Sequence, residues 1–169
     1  MSFLIIENAL FFMTATALLI ISGWAWRNTK PYSLPQPLPK WFKIWFGTVQ
    51  VGGGLLPIVA LLWGWWRGYG SVLTALIPYL IMLGLQILSE VIALRQFHSV
   101  VWVMVPYLYL PYRWWQLYEG LSLMEPADQL IWVRYLLLFN LVLWIGNYCL
   151  DVSQLPRLFH WENKAPSMD

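Results

Sequence analysis

Charged side chains are scarce in this chain: they make up 11% of its 169 residues and leave a net charge of +2. The ten basic residues form no dense run, so nucleic acid is not an expected partner. There is one cysteine, Cys149, which excludes an intramolecular disulfide and a cysteine-based metal site. The two histidines, His98 and His160, stand far apart, with no cysteine or carboxylate at ligand spacing, and no zinc site is expected. A Ser–His–Asp set and a glycine-rich phosphate loop joined to a strand are both missing. Gly52-Gly53-Gly54 lies inside an apolar segment and is no such loop. Arg95 and His98 are the remaining candidates for lipid chemistry, and they serve equally well as interfacial anchors. The sequence therefore reads as that of a protein other than an enzyme.

Apolar side chains are abundant, at 60% of the chain. Phe3–Trp26, Ile44–Trp66, Ser71–Leu94 and Tyr135–Leu150 (entered from Asp128) run almost without charge, and Phe97–Tyr118 does so with two prolines and one arginine. A helix crosses about 30 Å of hydrocarbon with roughly 20 apolar residues. Helices satisfy their own backbone groups, which lipid cannot do. The expected fold is all-α: a polytopic membrane bundle of five transmembrane helices (about 3–26, 44–66, 71–94, 97–118 and 128–150) in one domain, residues 1–169. Five spans leave no room for a separate soluble domain. The first span is not a cleaved signal peptide, because Glu7 stands where a basic region belongs and Ala15 and Ala17 fall mid-span.

Five spans put the termini on opposite sides. Arg67, Arg113 and Arg134 fall on the N-terminal side, while Arg27, Lys30, Lys40, Lys43, Arg95, Arg157 and Lys164 fall on the other. Three basic residues against seven orient the chain with its N-terminus outside and its C-terminus inside. Thirteen tryptophans suit interfacial belts, where the ring meets lipid and the N–H meets water. Trp102 and Trp144 lie deeper and are candidates for lining an interior. The connection Arg27–Lys43 carries Pro31, Pro35, Pro37 and Pro39, which forbid a helix and favour extended geometry. It is either a stiff linker or a cover over one mouth of the bundle.

Polar residues inside apolar spans cost more and therefore say more. Gln86 and Glu90 are four apart and share a helix face, with Ser89 beside them. Asn140 and Asn147 share another face, with Trp144 between them. Gln50 lies in the second span, and Glu7 and Thr14 share a face of the first. These faces are expected to converge on one interior. Glu90 is the most informative, since an intramembrane carboxylate faces the interior, pairs, or stays protonated. Gly52-Gly53-Gly54 and Pro57 weaken the second helix, while Pro78, Pro106 and Pro111 bend later ones. Each proline frees a carbonyl that a neighbour must satisfy.

The pattern resembles the TspO/translocator family of tryptophan-rich, five-span membrane proteins. The likeness rests on the proline-rich connection opening with Lys30-Pro31, on Trp45-Phe46-Gly47-Thr48, on Gln86 with a polar residue four later, and on Asn147-Tyr148. Glu90 stands where that family has an asparagine, and Val91-Ile92-Ala93-Leu94 replaces its Trp-Pro-x-Phe-Phe. The converging polar faces and kinked helices are expected to form a bundle that binds an apolar molecule of tetrapyrrole, sterol or polyene type, with Trp45, Gln50, Gln86, Glu90, Trp144 and Asn147 as the ligand-binding residues, and the resemblance implies ligands of the same apolar kind. The alternative is an accessory or assembly subunit of a larger membrane complex, contacting partner helices, pigments or lipid. Expected partners are the lipid bilayer, a hydrophobic ligand, and a second copy or a larger assembly. A small transporter is a third class, but no repeat of the hydropathy pattern supports it.

Overall fold

Helical periodicity, uninterrupted apolar runs and glycine at one tight turn shape the chain. A computed structural model describes residues 2–29, 39–97, 100–124 and 128–159. The regular elements among them are all helices: α1 (Ser2–Ala25), α2 (Lys40–Gln50), α3 (Leu56–Arg67), α4 (Gly70–Phe97), α5 (Met104–Leu123), α6 (Ile131–Val152) and the short α7 (Leu155–Phe159). Val51–Leu55 forms a π-helical turn that joins α2 to α3 as one continuous rod. Short 3₁₀ turns at Val100–Val103 and Asp128–Leu130 lead into α5 and α6. Among the described residues, four helices are long and apolar enough to cross a membrane: Ile5–Ala25, Lys40–Arg67, Gly70–Phe97 and Ile131–Val152.

Gly68 makes the turn between α3 and α4. Its φ of 73° is a left-handed conformation that only glycine adopts without strain, and the Tyr69 N–H returns to the Gly64 carbonyl at 2.8 Å. The two helices then lie antiparallel and close, because a Cβ on Gly64 would meet the Val72 side chain at 2.6 Å. At the far end of α4, Phe97 covers Gly23 of α1. The C-terminal ends of α1 and α4 and the start of α2 therefore share one end of the bundle. This basic end carries the exposed Arg27, Lys40, Lys43 and Arg95. The opposite end carries Glu7, Arg67, Glu119 and Arg134.

Two cores flank α4. Ala60, Val72, Leu76, Leu110, Leu117, Val133 and Leu137 pack where α3, α4, α5 and α6 meet. Ala15, Leu19, Met82, Ala93, Val105 and Tyr109 pack where α1, α4 and α5 meet. Ile5, Leu10, Ile21, Trp65, Trp66 and Val142 point outward, as suits side chains that face lipid.

Three expectations need correction. The fifth apolar segment starts later than Phe97: α5 opens at Met104, which places Pro106 in its first turn, where a missing N–H costs nothing. Arg113 does not belong to an outer connection; it is 1% exposed in the middle of α5. Thr14 does not share an interior with Glu7. It is exposed, and its hydroxyl donates back to the Leu10 carbonyl at 2.9 Å. Most of the proline-rich connection, as well as His98 and His160, lies outside the described residues.

Candidate functional site

Arg113 lies at the centre of the bundle. On α5 the buried positions Tyr109, Leu110, Arg113, Leu117 and Gly120 recur at three- and four-residue intervals, so the arginine occupies the inward stripe. Its Nη2 donates to Gln86 Oε1 of α4 at 2.7 Å, and Gln86 Nε2 donates to Glu90 Oε1 at 2.8 Å. A single amide thus joins a buried cation to a carboxylate one helical turn further on. The guanidinium lies over the Trp144 ring at 4.3 Å and over the Tyr79 ring at 5.6 Å. Cation–π attraction replaces part of its lost hydration. Its Nε and Nη1 find no hydrogen-bond partner among the described residues. Beside Glu90, Ser89 and Tyr109 share a hydrogen bond of 3.1 Å between α4 and α5.

The glycine turn closes this network from the side. Pro57 has no N–H to offer four residues back, so the Gly53 carbonyl needs another donor. The Tyr79 hydroxyl supplies it at 2.6 Å, with Asn140 Oδ1 a second acceptor at 3.1 Å. Trp144 Nε1 in turn donates to the Tyr79 oxygen at 2.9 Å. Glycine is required here by contact as well, because a Cβ on Gly53 would lie 2.5 Å from the Trp144 ring and one on Gly52 would lie 2.7 Å from Phe139. The backbone of the Lys40–Arg67 rod therefore presses directly on α6.

Two smaller polar groups sit nearer the ends. Toward the basic end, Trp45 Nε1 donates to Asn147 Oδ1 at 3.2 Å, Asn147 Nδ2 reaches Asp151 Oδ2 at 3.4 Å, and Tyr107 donates to the Asp151 carbonyl. Toward the opposite end, Asn8 Oδ1 accepts from Tyr112 at 2.7 Å and from Gln116 Nε2 at 2.8 Å, while Trp115 Nε1 donates to Glu7 at 2.9 Å. Phe11 stacks on Tyr112 at 3.9 Å. Together these contacts latch α1 to α5 beside a cavity of about 20 Å³, which is room for a single water.

The six residues expected to bind a ligand do not form one pocket. Gln86, Glu90 and Trp144 converge on Arg113, while Trp45 and Asn147 pair with each other. Gln50 does not join the interior but is exposed on the outer face of its rod. None of Gln86, Glu90, Trp144 or Asn147 lines the larger cavity. That cavity is an open lateral groove of about 350 Å³, lined by Gly47, Thr48, Val51, Gly52, Leu56 and Phe139. Arg113, Tyr79, Asn8 and Asp151 went unassigned from the sequence. The signal for Arg113 was its register: four residues after Tyr109 and seven before Gly120 places it on the stripe of small and apolar positions.

With helices as its regular elements among the described residues, four of them suited to a bilayer, and a buried arginine at its centre, the chain has the makings of a multi-pass membrane protein. It belongs to the family called domain of unknown function (DUF7733), whose model matches residues 2–160. No curated protein and no solved structure matches it.

Proposed function

We propose that this protein binds an elongated apolar molecule of polyene, sterol or tetrapyrrole type in the lateral groove at the glycine turn, and that it is a binding protein rather than an enzyme. The observation that carries the reading is the groove itself. Its volume of about 350 Å³ falls within the range typical of small-molecule sites, roughly 300–1,000 Å³. Its walls are apolar, apart from Thr48, whose hydroxyl is turned back to the Ile44 carbonyl at 3.0 Å. Glycine at position 47 leaves part of the floor open, since nothing stands within 4 Å of a Cβ placed there, while Phe139 lies directly over Gly52. The likeness of Trp45-Phe46-Gly47-Thr48 to the translocator family supports the same neighbourhood. The site differs from the one expected from sequence, because the interior is occupied by the chain's own side chains.

In this reading α5 is a fifth span. Its twenty residues reach about 30 Å, and it packs along both α4 and α6. The basic end then faces the cytoplasm or its equivalent. A reporter fused after Asp169 is expected to be active only there, and one inserted near Glu125 only on the far side. Activity of both in the cytoplasm would remove the fifth span.

Gly47→Leu tests the groove, since a Cβ there meets no atom within 4 Å and the side chain beyond it takes up groove space. Quenching of tryptophan fluorescence by a polyene should saturate in the native protein and lose saturation in the variant, with the thermal melt unchanged. Non-saturating quenching in both would mean partition into detergent. Native mass in a mild detergent would then examine the accessory-subunit reading, in which a partner helix fills the groove.

A further inference from the structure

A second site lies away from the groove and stands independently of it. Glu90 sits at the end of a hydrogen-bonded series, Arg113 Nη2 to Gln86 Oε1 at 2.7 Å and Gln86 Nε2 to Glu90 Oε1 at 2.8 Å. No ion pair joins the cation to the carboxylate directly, so their charges are held apart by one amide. Each helix packed around Glu90 contributes a defined set of charged and titratable groups. On α4 itself the next is Arg95, exposed beyond the end of the next turn. From α5 come Arg113 and Tyr109, and Tyr109 is engaged with Ser89. From α6 comes Asp151, whose carbonyl accepts from Tyr107 of α5 and whose Oδ2 receives Asn147 Nδ2 at 3.4 Å. Neither α1 between Asn8 and Arg27 nor the rod between Lys43 and Arg67 carries a titratable side chain. Glu90 thus faces one fixed cation through Gln86 and one further carboxylate toward the basic end.

We propose that Glu90 is a proton-binding site, loaded from the basic end past Asp151, with Arg113 as the fixed charge that closes the route toward the opposite end. Three features support this. Glu90 and Asp151 are only half-buried, whereas Arg113 is 1% exposed, so access comes from the carboxylate side. Glu90 Oε1 is taken by Gln86, which leaves Oε2 as the oxygen that receives a proton. Beyond Arg113 the rings of Tyr79 and Trp144 lie against the guanidinium, and a positive charge in low dielectric repels a proton that would pass it. The step is a simple transfer. A hydronium ion at the basic end loses one O–H bond and leaves as water, an O–H bond forms at Glu90 Oε2, and the carboxylate charge is cancelled. Gln86 then bridges Arg113 to a neutral acid. Arg113 Nε and Nη1 have no hydrogen-bond partner among the described residues, so Gln86 Oε1 is the acceptor that ties the guanidinium to the series. Intramembrane carboxylates paired across helices are a recurrent feature of proton-handling membrane proteins.

Infrared difference spectroscopy of the full chain in lipid, stepped through pH, tests this. The native protein should show the carbonyl band of a protonated carboxyl that comes and goes with pH. Glu90→Gln keeps the shape of the neutral acid and should abolish the band while preserving helicity and melting temperature. Glu90→Asp should restore a titrating band, which separates loss of the site from loss of the fold. The emission that native protein shows above Trp144→Phe should step at the same pH, because Trp144 lies under the guanidinium, and the step should vanish in Glu90→Gln. A band that is the same in Asp151→Asn and in Asp151→Asn combined with Glu90→Gln, or the absence of any titrating carboxyl band in a folded native protein, would overturn the proposal. A band that is unmoved by Asp151→Asn would overturn the route past Asp151.

Discussion

Two outer pieces, α1 and the Lys40–Arg67 rod, both pack on α4 but by opposite means, α1 reaching on to α5 and the rod to α6. The rod comes in by contact. Gly52 meets Phe139, Gly53 meets Trp144 and Gly64 meets Val72, with no space for a Cβ at any of them. By comparison, α1 buries the side chains of Ala15 and Leu19 and relies on a polar-aromatic latch in which Asn8 accepts from two α5 side chains. In lipid, apolar burial gives helices little reason to associate, so close packing and interhelical hydrogen bonds carry the load. The contrast between the two seams shows both routes in one small bundle.

The comparison breaks most visibly at Gly53. Gly53→Val drives two methyl groups into the Trp144 ring and should cost about 3 kcal/mol, the upper part of the range for overpacking. Thermal unfolding in detergent measures it, and a loss below about 1 kcal/mol would show that the rod shifts freely on α6. Next in size is Gln86→Leu, which leaves both Arg113 and Glu90 without the amide between them. A loss of about 2 kcal/mol is expected, against a near-neutral Glu90→Gln, by the cost of stranding buried polar groups. If both variants melt alike, the amide bridge contributes nothing. Asn8→Leu should cost about 1 kcal/mol, the scale of a hydrogen bond between membrane helices. Its signature is local: hydrogen exchange should rise in α1 while α4, α5 and α6 stay protected. Uniform exchange would mean that α1 is held by its apolar face and not by the latch. Smallest is Gly54→Ala, with no atom within 4 Å of the new Cβ, which should stay within about 0.5 kcal/mol. A loss as large as that of Gly53→Val would mean that the turn needs glycine for its backbone and not for Trp144.

Four of the helices were legible because length and hydropathy alone specify them. The freed carbonyl near Pro57 was legible too, since proline chemistry dictates it, although its partner Tyr79 lies 26 residues away and no local rule points there. The Gln86–Glu90 and Asn140–Trp144–Asn147 faces followed from helical spacing. Arg113 was misplaced because a charge near the end of a short apolar segment is read as a loop residue by any hydropathy argument, and only the stripe it interrupts places it inside. Gln50 failed for a related reason. Depth along a helix says nothing about rotation around it, and the π-helical turn one residue later alters that rotation. The latch at Asn8 needed knowledge of which helices are neighbours, and this is a property of the assembled bundle.

The glycine turn acts as a phase shifter. A turn closed by bonds to the fifth residue holds one residue more than an α-helical turn. In an α-helix one residue is about 100° of rotation and 1.5 Å of rise. The faces of α2 and α3 are therefore offset by one step, although the two form a single rod. That offset lets Trp45 reach Asn147 across α6 while Gly64 still lies flat on Val72. Deleting Gly54 would restore the regular helix and turn α2 by that step. Trp45 would leave Asn147, Gly47 would leave the groove, and the lysines at 40 and 43 would face a different part of the membrane surface. One extra backbone unit thus keeps the two ends of a continuous helix addressed to different neighbours.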